Sequence, residues 1–158
     1  MIETEAKIRL SSEEFNDLYL RLGRPDFVLQ KNWGYVSMNN IVRIREEGDR
    51  RQVTLKLSNQ ASGEYNSREE LEIGVSDIAL TRRIFETIGL QNKYHYEKKR
   101  ATKQISDCTV CLDCIVGLGE FIEVEGAAGN IKVVLESFGL SSKPIERRSY
   151  FELLNGMH

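Results

Sequence analysis

Apolar and polar residues alternate along much of this chain, beginning with the stretch IETEAKIRL at residues 2–10. A period of two is the signature of a β-strand that has two different faces. This alternation, together with the turn residues that interrupt it, predicts eight strands. They cover residues 2–10, 27–36, 41–46, 52–58, 68–74, 93–101, 104–115 and 118–126.

Four other segments carry apolar residues at the spacing of an α-helix. They cover residues 11–22, 76–88, 127–138 and 145–154. Ser11 and Glu14 fit a capping box at the start of the first segment. In the second segment, Leu80, Ile84 and Ile88 share one side, which is expected to pack against the strands.

The connections between strands are mostly short, which favours antiparallel pairing. Eight antiparallel strands can close into a barrel whose interior holds side chains or one small ligand. With 158 residues and no linker, the chain is predicted to form a single domain over residues 1–158. The predicted fold class is therefore α+β, a closed eight-stranded antiparallel β-barrel with helices packed on the outside.

Charged residues concentrate on one face of the strands, mostly at alternate positions. They are Glu3, Glu5, Lys7, Arg43, Arg45, Lys56, Glu70, Glu72, Lys98, Arg100, Asp113, Glu123 and Glu125. The opposite faces are apolar and must be covered, and the amphipathic helices are the candidates to cover them. If helices lie outside, the barrel interior holds seven carboxylates and six cations. Glu69 falls on the outward face and is expected to be solvated.

An interior of charges is costly to desolvate, so it indicates a charged ligand rather than a source of stability. Lysines and arginines from several walls suit the oxygens of a polyphosphate. Clustered carboxylates suit Mg²⁺ or Mn²⁺, which are hard ions that prefer oxygen ligands. Together these groups are typical of phosphoryl or nucleotidyl chemistry. The alternative is that each charged pair is the solvated face of an ordinary strand.

The charged residues also form an ordered series of motifs over essentially the whole chain. The motifs are Glu3-x-Glu5-x-Lys7, Arg43-x-Arg45, Thr54-Leu55-Lys56, Arg68-x-Glu70-x-Glu72, Lys98-x-Arg100, Asp113 and Gly117-Leu118-Gly119-x-Phe121-x-Glu123-x-Glu125. This series resembles the CYTH family, the triphosphate tunnel metalloenzymes. The stretches GLGEFIEVEG at residues 117–126 and RSYFELL at residues 148–154 look most like the class IV adenylyl cyclase branch and its archaeal-type relatives.

The resemblance implies a closed tunnel that binds a triphosphate among basic residues and Mg²⁺ or Mn²⁺ on acidic ones. It implies a lyase that converts ATP to cyclic AMP and pyrophosphate, with the 3′-hydroxyl attacking the α-phosphorus. Two alternatives stay open. One is a hydrolase that acts on thiamine triphosphate or inorganic tripolyphosphate. The other is a module that binds polyphosphate without turning it over.

Each charged residue has an expected role in such a tunnel. The substrate-binding candidates are Lys7, Arg43, Arg45, Lys56, Lys98 and Arg100. Four of them, Lys7, Lys56, Lys98 and Arg100, are also catalytic candidates, because cations offset charge that builds up in the transition state. The metal-ligand candidates are Glu3, Glu5, Glu70, Glu72, Asp113, Glu123 and Glu125. For Glu70 and Glu72 the alternative role is to orient the arginines.

Composition narrows the partners and the compartment. The 22 Lys and Arg residues are balanced by 24 Asp and Glu residues, which argues against a nucleic-acid binder. No stretch approaches the roughly 20 apolar residues of a membrane helix, and the charged opening of the chain does not look like a secretory signal. Three cysteines without such a signal fit a reducing compartment, so a cytoplasmic protein without membrane partners is expected.

The three cysteines, Cys108, Cys111 and Cys114, lie in one predicted strand. Because side chains alternate, Cys111 faces away from the other two, and no fourth ligand is spaced to complete a zinc or iron–sulfur site. We therefore expect ordinary small strand residues. On the outward face, Cys114 is joined by Val110 and Leu112, which must pack on something, and a homodimer is one way to cover them.

Overall fold

The computed structural model describes residues 1–58 and 63–156. Within them lie eight strands and four helices, in the predicted order. They are β1 (Ile2–Leu10), α1 (Ser12–Arg21), β2 (Phe27–Ser37), β3 (Asn40–Glu47), β4 (Arg50–Lys56), β5 (Asn66–Gly74), α2 (Ile78–Thr87), β6 (Asn92–Ile105), β7 (Cys108–Ile115), β8 (Gly119–Glu125), α3 (Ala128–Ser137) and α4 (Tyr150–Asn155). The remainder of the predicted domain, residues 59–62 and 157–158, lies outside the described residues.

The strands form a closed barrel, in the order β1, β5, β4, β3, β2, β6, β7 and β8. Every neighbouring pair is antiparallel. β1 closes the barrel, since its first half pairs with β5 and its second half pairs with β8. The predicted barrel is confirmed, and in a closed barrel the alternation of each strand separates an inner from an outer face.

The two ends of the barrel differ in what covers them. At one end lie the β2–β3 and β7–β8 turns, and there α4 packs on Ile115, Leu118 and Phe121. We call this the α4 end. At the other lie the β3–β4 and β6–β7 turns, and we call this the far end.

Helices α1 and α3 cover the outer wall that β1, β7 and β8 form. Leu18 of α1 and Ile131 of α3 share one buried core with Ile8, Val110 and Leu112. Burial of each such side chain contributes roughly 1.5–3 kcal/mol. Val110 and Leu112 are therefore covered by helices of the same chain, and they give no reason for a second copy.

Helix α2 covers the outer wall of β2, β3 and β4, but not with the predicted side. Ile78 and Phe85 pack against the apolar core of these strands. Leu80, Ile84 and Ile88 are each more than half exposed. Their spacing of four places them on one edge of the helix, but it does not say which edge meets the barrel.

Strand β6 is longer than predicted. It continues to Ile105, and the turn into β7 lies at Ser106 rather than near residue 103. Ser106 takes a positive φ of 52°, which turn residues adopt and strand residues do not.

Among the described residues, no helix has the length and apolar character needed to cross a membrane.

Helix α4 begins later than predicted, at Tyr150 instead of residue 145. Ser149 and Glu152 form a capping box there, so the helix has a defined start. The preceding residues run beside β1, where the amide of Glu146 donates to the carbonyl of Lys7 at 2.8 Å. This extended segment positions α4 over the end of the barrel.

Candidate active site

The alternating charges of the strands meet in one cavity inside the barrel, the lumen. Twelve of the thirteen predicted residues line it, namely Glu3, Glu5, Lys7, Arg43, Arg45, Lys56, Glu70, Glu72, Lys98, Arg100, Glu123 and Glu125. Strand register brings partners together, since Lys7 lies opposite Glu123 and Lys56 lies opposite Glu70. The rest of the lining consists of Gly34, Ile41, Gln52, Arg68, Tyr96, Ser149 and two residues of α4, Tyr150 and Phe151.

The thirteenth residue, Asp113, is fully buried in the barrel wall. One oxygen accepts from Lys98 at 2.9 Å and from Tyr150 at 2.8 Å, and Arg100 donates to both oxygens at 2.7 and 2.5 Å. Burial alone would raise the pKa of Asp113, but Arg100 and Lys98 outweigh it and lower that pKa. With both oxygens engaged, Asp113 anchors two lumen cations rather than presenting an open ligand position.

Two more lumen cations have carboxylate partners. Lys7 lies 3.5 Å from Glu5 and 3.6 Å from Glu123. Burial opposes the charge on Lys7, but these two carboxylates prevail and raise its pKa. Lys56 forms an ion pair with Glu70. Neighbouring strands therefore hold both lysines inside the barrel, although burial, and then the charge of Arg43, lower the pKa of Lys56.

Glu72 faces the lumen but acts within the wall. Its carboxylate accepts from Gln52 at 2.8 Å, from Thr54 at 3.1 Å and from Arg50 at 3.3 Å. The Thr54 hydroxyl in turn accepts from Arg43 at 3.2 Å. Glu72 thus orients Arg43 through Thr54, which is the alternative role that the sequence left open for it.

Arg43 and Arg45 differ from the other four predicted cations, because among the described residues neither forms an ion pair. Arg45 donates to Asn32 at 2.8 Å, and Nε of Arg43 is buried without a partner. Burial, and then the charges of Arg43 and Arg100, lower the pKa of Arg45 to about 9. This part of the lumen therefore carries positive charge that the described side chains do not balance.

The opposite imbalance occurs around Glu3, where several carboxylates approach one another. Burial, opposed by Lys56 and assisted by the neighbouring Glu70, Glu125 and Glu5, raises the pKa of Glu3 to about 7. Burial and Glu5 also raise the pKa of Glu125. Within the described part of the chain, no three of these groups already converge as ligands around one point.

Helix α4 supplies site residues that the sequence did not reveal. The ring of Tyr150 lies 4.5 Å from the Lys7 ammonium and 4.7 Å from that of Lys98, at cation–π distance. Phe151 packs against Gly34, where a Cβ atom would lie only 2.6 Å from the ring. The segment RSYFELL was noted only as a resemblance, and its spacing carries no signal that it reaches a barrel lumen.

A second cavity opens at the far end and shares Arg45, Gln52, Arg100 and Glu125 with the lumen. Beyond these it is lined by Asp26, Val28, Gln30, Glu47, Arg50, Thr102, Thr109 and Cys111. Apart from Arg50, the polar groups added here are carboxylates, amides, hydroxyls and a thiol. The amide oxygens of Gln30 and Gln52 are buried without a hydrogen-bond partner. The lumen thus changes from cation-rich to acceptor-rich toward the far end.

Residues 1–150 match the family model described as the CYTH domain. The chain belongs to the CYTH family. Over 97% of its length and 98% of the relative's, it is 27% identical to a protein of Methanocaldococcus jannaschii named as a putative adenylate cyclase. The predicted family is therefore confirmed.

Solved structures share this CYTH fold at low sequence identity. A conserved hypothetical protein of Pyrococcus furiosus has a TM-score of 0.82 at 22% identity, over 96% of this chain and 99% of that one. A putative adenylate cyclase of Vibrio parahaemolyticus has a TM-score of 0.77 at 16% identity, over 98% of both chains. A putative adenylyl cyclase from Hippeastrum, reported with a dominant triphosphatase activity, has a TM-score of 0.73 at 17% identity, over 99% of this chain and 95% of that one.

The cysteines of the CYTH barrel lie as their alternation predicts. Cys108 and Cys114 belong to the outer core, whereas Cys111 lines the far-end cavity, and all three are free thiols. Burial raises the pKa of the Cys111 thiol, which makes it a poor nucleophile at neutral pH. Glu69, expected on the outward face, is exposed.

Proposed function

We propose that this CYTH protein is an enzyme that acts on the triphosphate of an organic alcohol. The first candidate reaction is that of class IV adenylyl cyclases, from ATP to cyclic AMP and pyrophosphate. The observation that supports it is the unbalanced pair of Arg43 and Arg45 in the lumen. A guanidinium out of water without a counterion is costly, and phosphate oxygens would supply that counterion.

The arrangement favours a long anion over a single phosphate. The unbalanced pair lies on β3, while Lys7, Lys56 and Lys98 project from three other strands into the same lumen. An anion that spans the lumen can contact cations on several walls at once. A triphosphate has both the length and the charge to do so, whereas one phosphate group would leave part of the set unsatisfied.

The carboxylates crowded around Glu3 fit a divalent cation. We propose that Glu3, Glu5 and Glu125, with Glu70 beside them, would hold Mg²⁺ or Mn²⁺, because their donors are all oxygen. Their mutual repulsion, which contributes to the raised pKa of Glu3, is what a cation would relieve. When bound, such an ion offsets charge on the phosphate oxygens. We assign Glu72, Asp113 and Glu123 instead to positioning the lumen cations.

The far-end cavity favours an organic triphosphate over inorganic tripolyphosphate. The carboxylates of this cavity would repel phosphate. The buried amide oxygens of Gln30 and Gln52 have no partner, and they would accept hydrogen bonds from amino or hydroxyl groups. Arg45 and Arg100 lie at the boundary between the two cavities. A ligand with phosphates on one side of that boundary and a donor-bearing group on the other matches both parts of the tunnel.

In the cyclisation, the ribose 3′-oxygen bonds to the α-phosphorus, the bond from that phosphorus to the bridging oxygen breaks, and pyrophosphate leaves. The hydroxyl proton then needs an acceptor. Burial, and then the charge of Arg100, lower the pKa of Lys98 to about 7. The Lys98 amine is therefore partly neutral at neutral pH, and we propose it as the proton acceptor. Arg43 and Arg45 would bind the departing pyrophosphate.

Hydrolysis is the second candidate, and the triphosphatase activity reported for the Hippeastrum relative favours it. There, water would attack the terminal phosphorus of the same bound triphosphate, and the bond from that phosphorus to the bridging oxygen would break. The products would be orthophosphate and a diphosphate. The lumen cations would serve both reactions, since only the phosphorus that meets the nucleophile differs.

Product analysis tests both candidates. The purified protein is incubated with ATP, thiamine triphosphate or tripolyphosphate and Mg²⁺ or Mn²⁺. Cyclic AMP with pyrophosphate supports the cyclase, and orthophosphate supports the hydrolase. Arg45→Gln should reduce either activity at least tenfold, whereas Lys99→Gln, an exposed neighbour of the lumen cations on β6, should not. Triphosphate binding without any product would refute the enzyme and favour a binding module.

A further inference from the structure

An apolar patch lies on the outer wall of the barrel, on β5 and on α2, the helix that follows β5 in the chain. It consists of Leu71 and Ile73 on β5, at 49% and 66% exposure, and Leu80, Ile84 and Ile88 at the α2 edge, at 54%, 51% and 70%. We call it the α2–β5 patch. Single exposed apolar residues are ordinary on protein surfaces, but a contiguous group of them is not.

The contacts of α2 place its apolar edge toward β5. On one edge of the helix, the Arg82 guanidinium lies 5.4 Å from the Trp33 ring, and Glu86 accepts from the Tyr35 hydroxyl at 3.3 Å. Trp33 and Tyr35 both belong to β2, so this edge faces β2. The helical period of 3.6 puts Ile84 and its two apolar neighbours on the other edge.

Strand register continues the patch from the helix onto the sheet. Beyond β3 and β4, on the side away from β2, the next strand is β5. There Ile73 lies opposite Val53 and Leu71 lies opposite Leu55. Val53 and Leu55 pack in the core beneath α2. The exposed side chains of β5 are therefore the uncovered continuation of that core.

The size of the patch matches one half of a dimer interface. Five aliphatic side chains at these exposures present on the order of 500 Å² of apolar surface, within the range that marks functional patches. A standard interface buries about 800 Å² on each partner, and homodimer interfaces are about two-thirds apolar. An apolar centre of this area with a polar rim would supply such a face.

We propose that the occupant of the α2–β5 patch is a second copy of this chain, related by a two-fold axis near Ile84. Apolar residues at positions i, i+4 and i+8 are self-complementary when two helices run antiparallel. Leu80 of one copy then lies opposite Ile88 of the other, and Ile84 meets its own equivalent. Thr81 and Thr87 flank the apolar edge without charge, as the centre of an interface requires.

The test is the mass of the protein in solution at micromolar concentration, measured by light scattering or sedimentation. The unchanged chain should have twice its sequence mass. Ile84→Glu should be monomeric, because the axis would bring two carboxylates together, and so should Ile84→Lys. Val133→Glu is the control, since Val133 is also an exposed apolar residue, on α3, and it should stay dimeric. Thermal melts establish that each variant is folded.

Mixing the two charge variants tests whether the two-fold axis lies near Ile84. Equal amounts of Ile84→Glu and Ile84→Lys should restore a dimer, because each interface then joins opposite charges. A monomeric unchanged chain, or a dimeric Ile84→Glu variant, would overturn the proposal. A mixture that stays monomeric would overturn the two-fold pairing at Ile84. None of these results depends on enzymatic activity, so they are independent of the proposed reaction.

Discussion

Replacing Glu3 by Gln should stabilise the protein at neutral and higher pH, although Glu3 is a proposed metal ligand. In the unliganded tunnel, Glu3 is partly buried, and three other carboxylates oppose its ionisation. Gln keeps the size of the side chain and removes the charge. A residue that served only stability would show the reverse, because its loss would weaken the fold.

The size and the pH range of the effect follow from the pKa. Burial raises the pKa of Glu3 from 4.5 to about 7, so between these values the folded state binds more protons than the unfolded chain. The stability that protonated Glu3 permits is fully present below pH 4.5 and is lost as the pH rises through 7. At about 1.4 kcal/mol per pKa unit, the loss is at most about 3 kcal/mol, less any screening by solvent in the lumen.

Thermal melts with a chelator present measure this effect across the pH range. Wild type and Glu3→Gln should melt together near pH 4.5, and at about pH 8 the variant should melt higher by up to about 10 °C. Glu69→Gln is the control, since Glu69 is exposed on β5 and lies next to Arg68, the residue opposite Glu3. Saturating Mn²⁺ at the higher pH should stabilise wild type and not Glu3→Gln. A difference in melting temperature between Glu3→Gln and wild type that is the same at every pH would refute the reasoning.

A triphosphate at 100 times its dissociation constant should stabilise the fold by about 2.7 kcal/mol and raise the melting temperature by roughly 5–10 °C. Tripolyphosphate should act more strongly than monophosphate, and Arg45→Gln should reduce its effect; equal shifts from both anions would contradict the tunnel. Gly34→Ala should destabilise by about 1–3 kcal/mol by displacing Phe151, whereas Gly129→Ala, with open space around it, should not. Replacing all three cysteines by Ser should leave metal-dependent activity largely unchanged. If the variant loses both its activity and a bound metal ion, the cysteines are metal ligands.

The positions of the lumen residues could be predicted because a closed barrel leaves a strand few choices. Once the strands alternate and helices cover one side, a residue's parity decides whether it faces inward. Glu3, Lys7 and Arg100 were placed by this rule, and all three line the lumen. The capping box of Ser11 and Glu14 was predictable for a similar reason, because it depends on contacts only three residues apart.

What the sequence could not provide are the contacts between distant elements. Tyr150 reaches Asp113 across 37 residues, and that bond depends on where the α4 segment crosses the end of the barrel. The orientation of α2 likewise depends on Trp33 and Tyr35, which are remote in sequence. The alternation of side chains along β7 could therefore place Asp113 on the inner face of the barrel. It could not reveal that both carboxylate oxygens accept hydrogen bonds from other residues.

The distribution of pairing among the cations argues that the lumen is built for a ligand. Lys7, Lys56, Lys98 and Arg100 each have carboxylate partners, which offset part of the cost of their burial. If the charged interior served stability alone, every buried cation would be expected to have such a partner, since an unpaired one is costly. Arg45 is only 8% exposed and contacts a neutral amide instead. A bound anion would remove that cost. The proposed function therefore depends on anion binding at Arg45 in particular, and not on the charged lining as a whole.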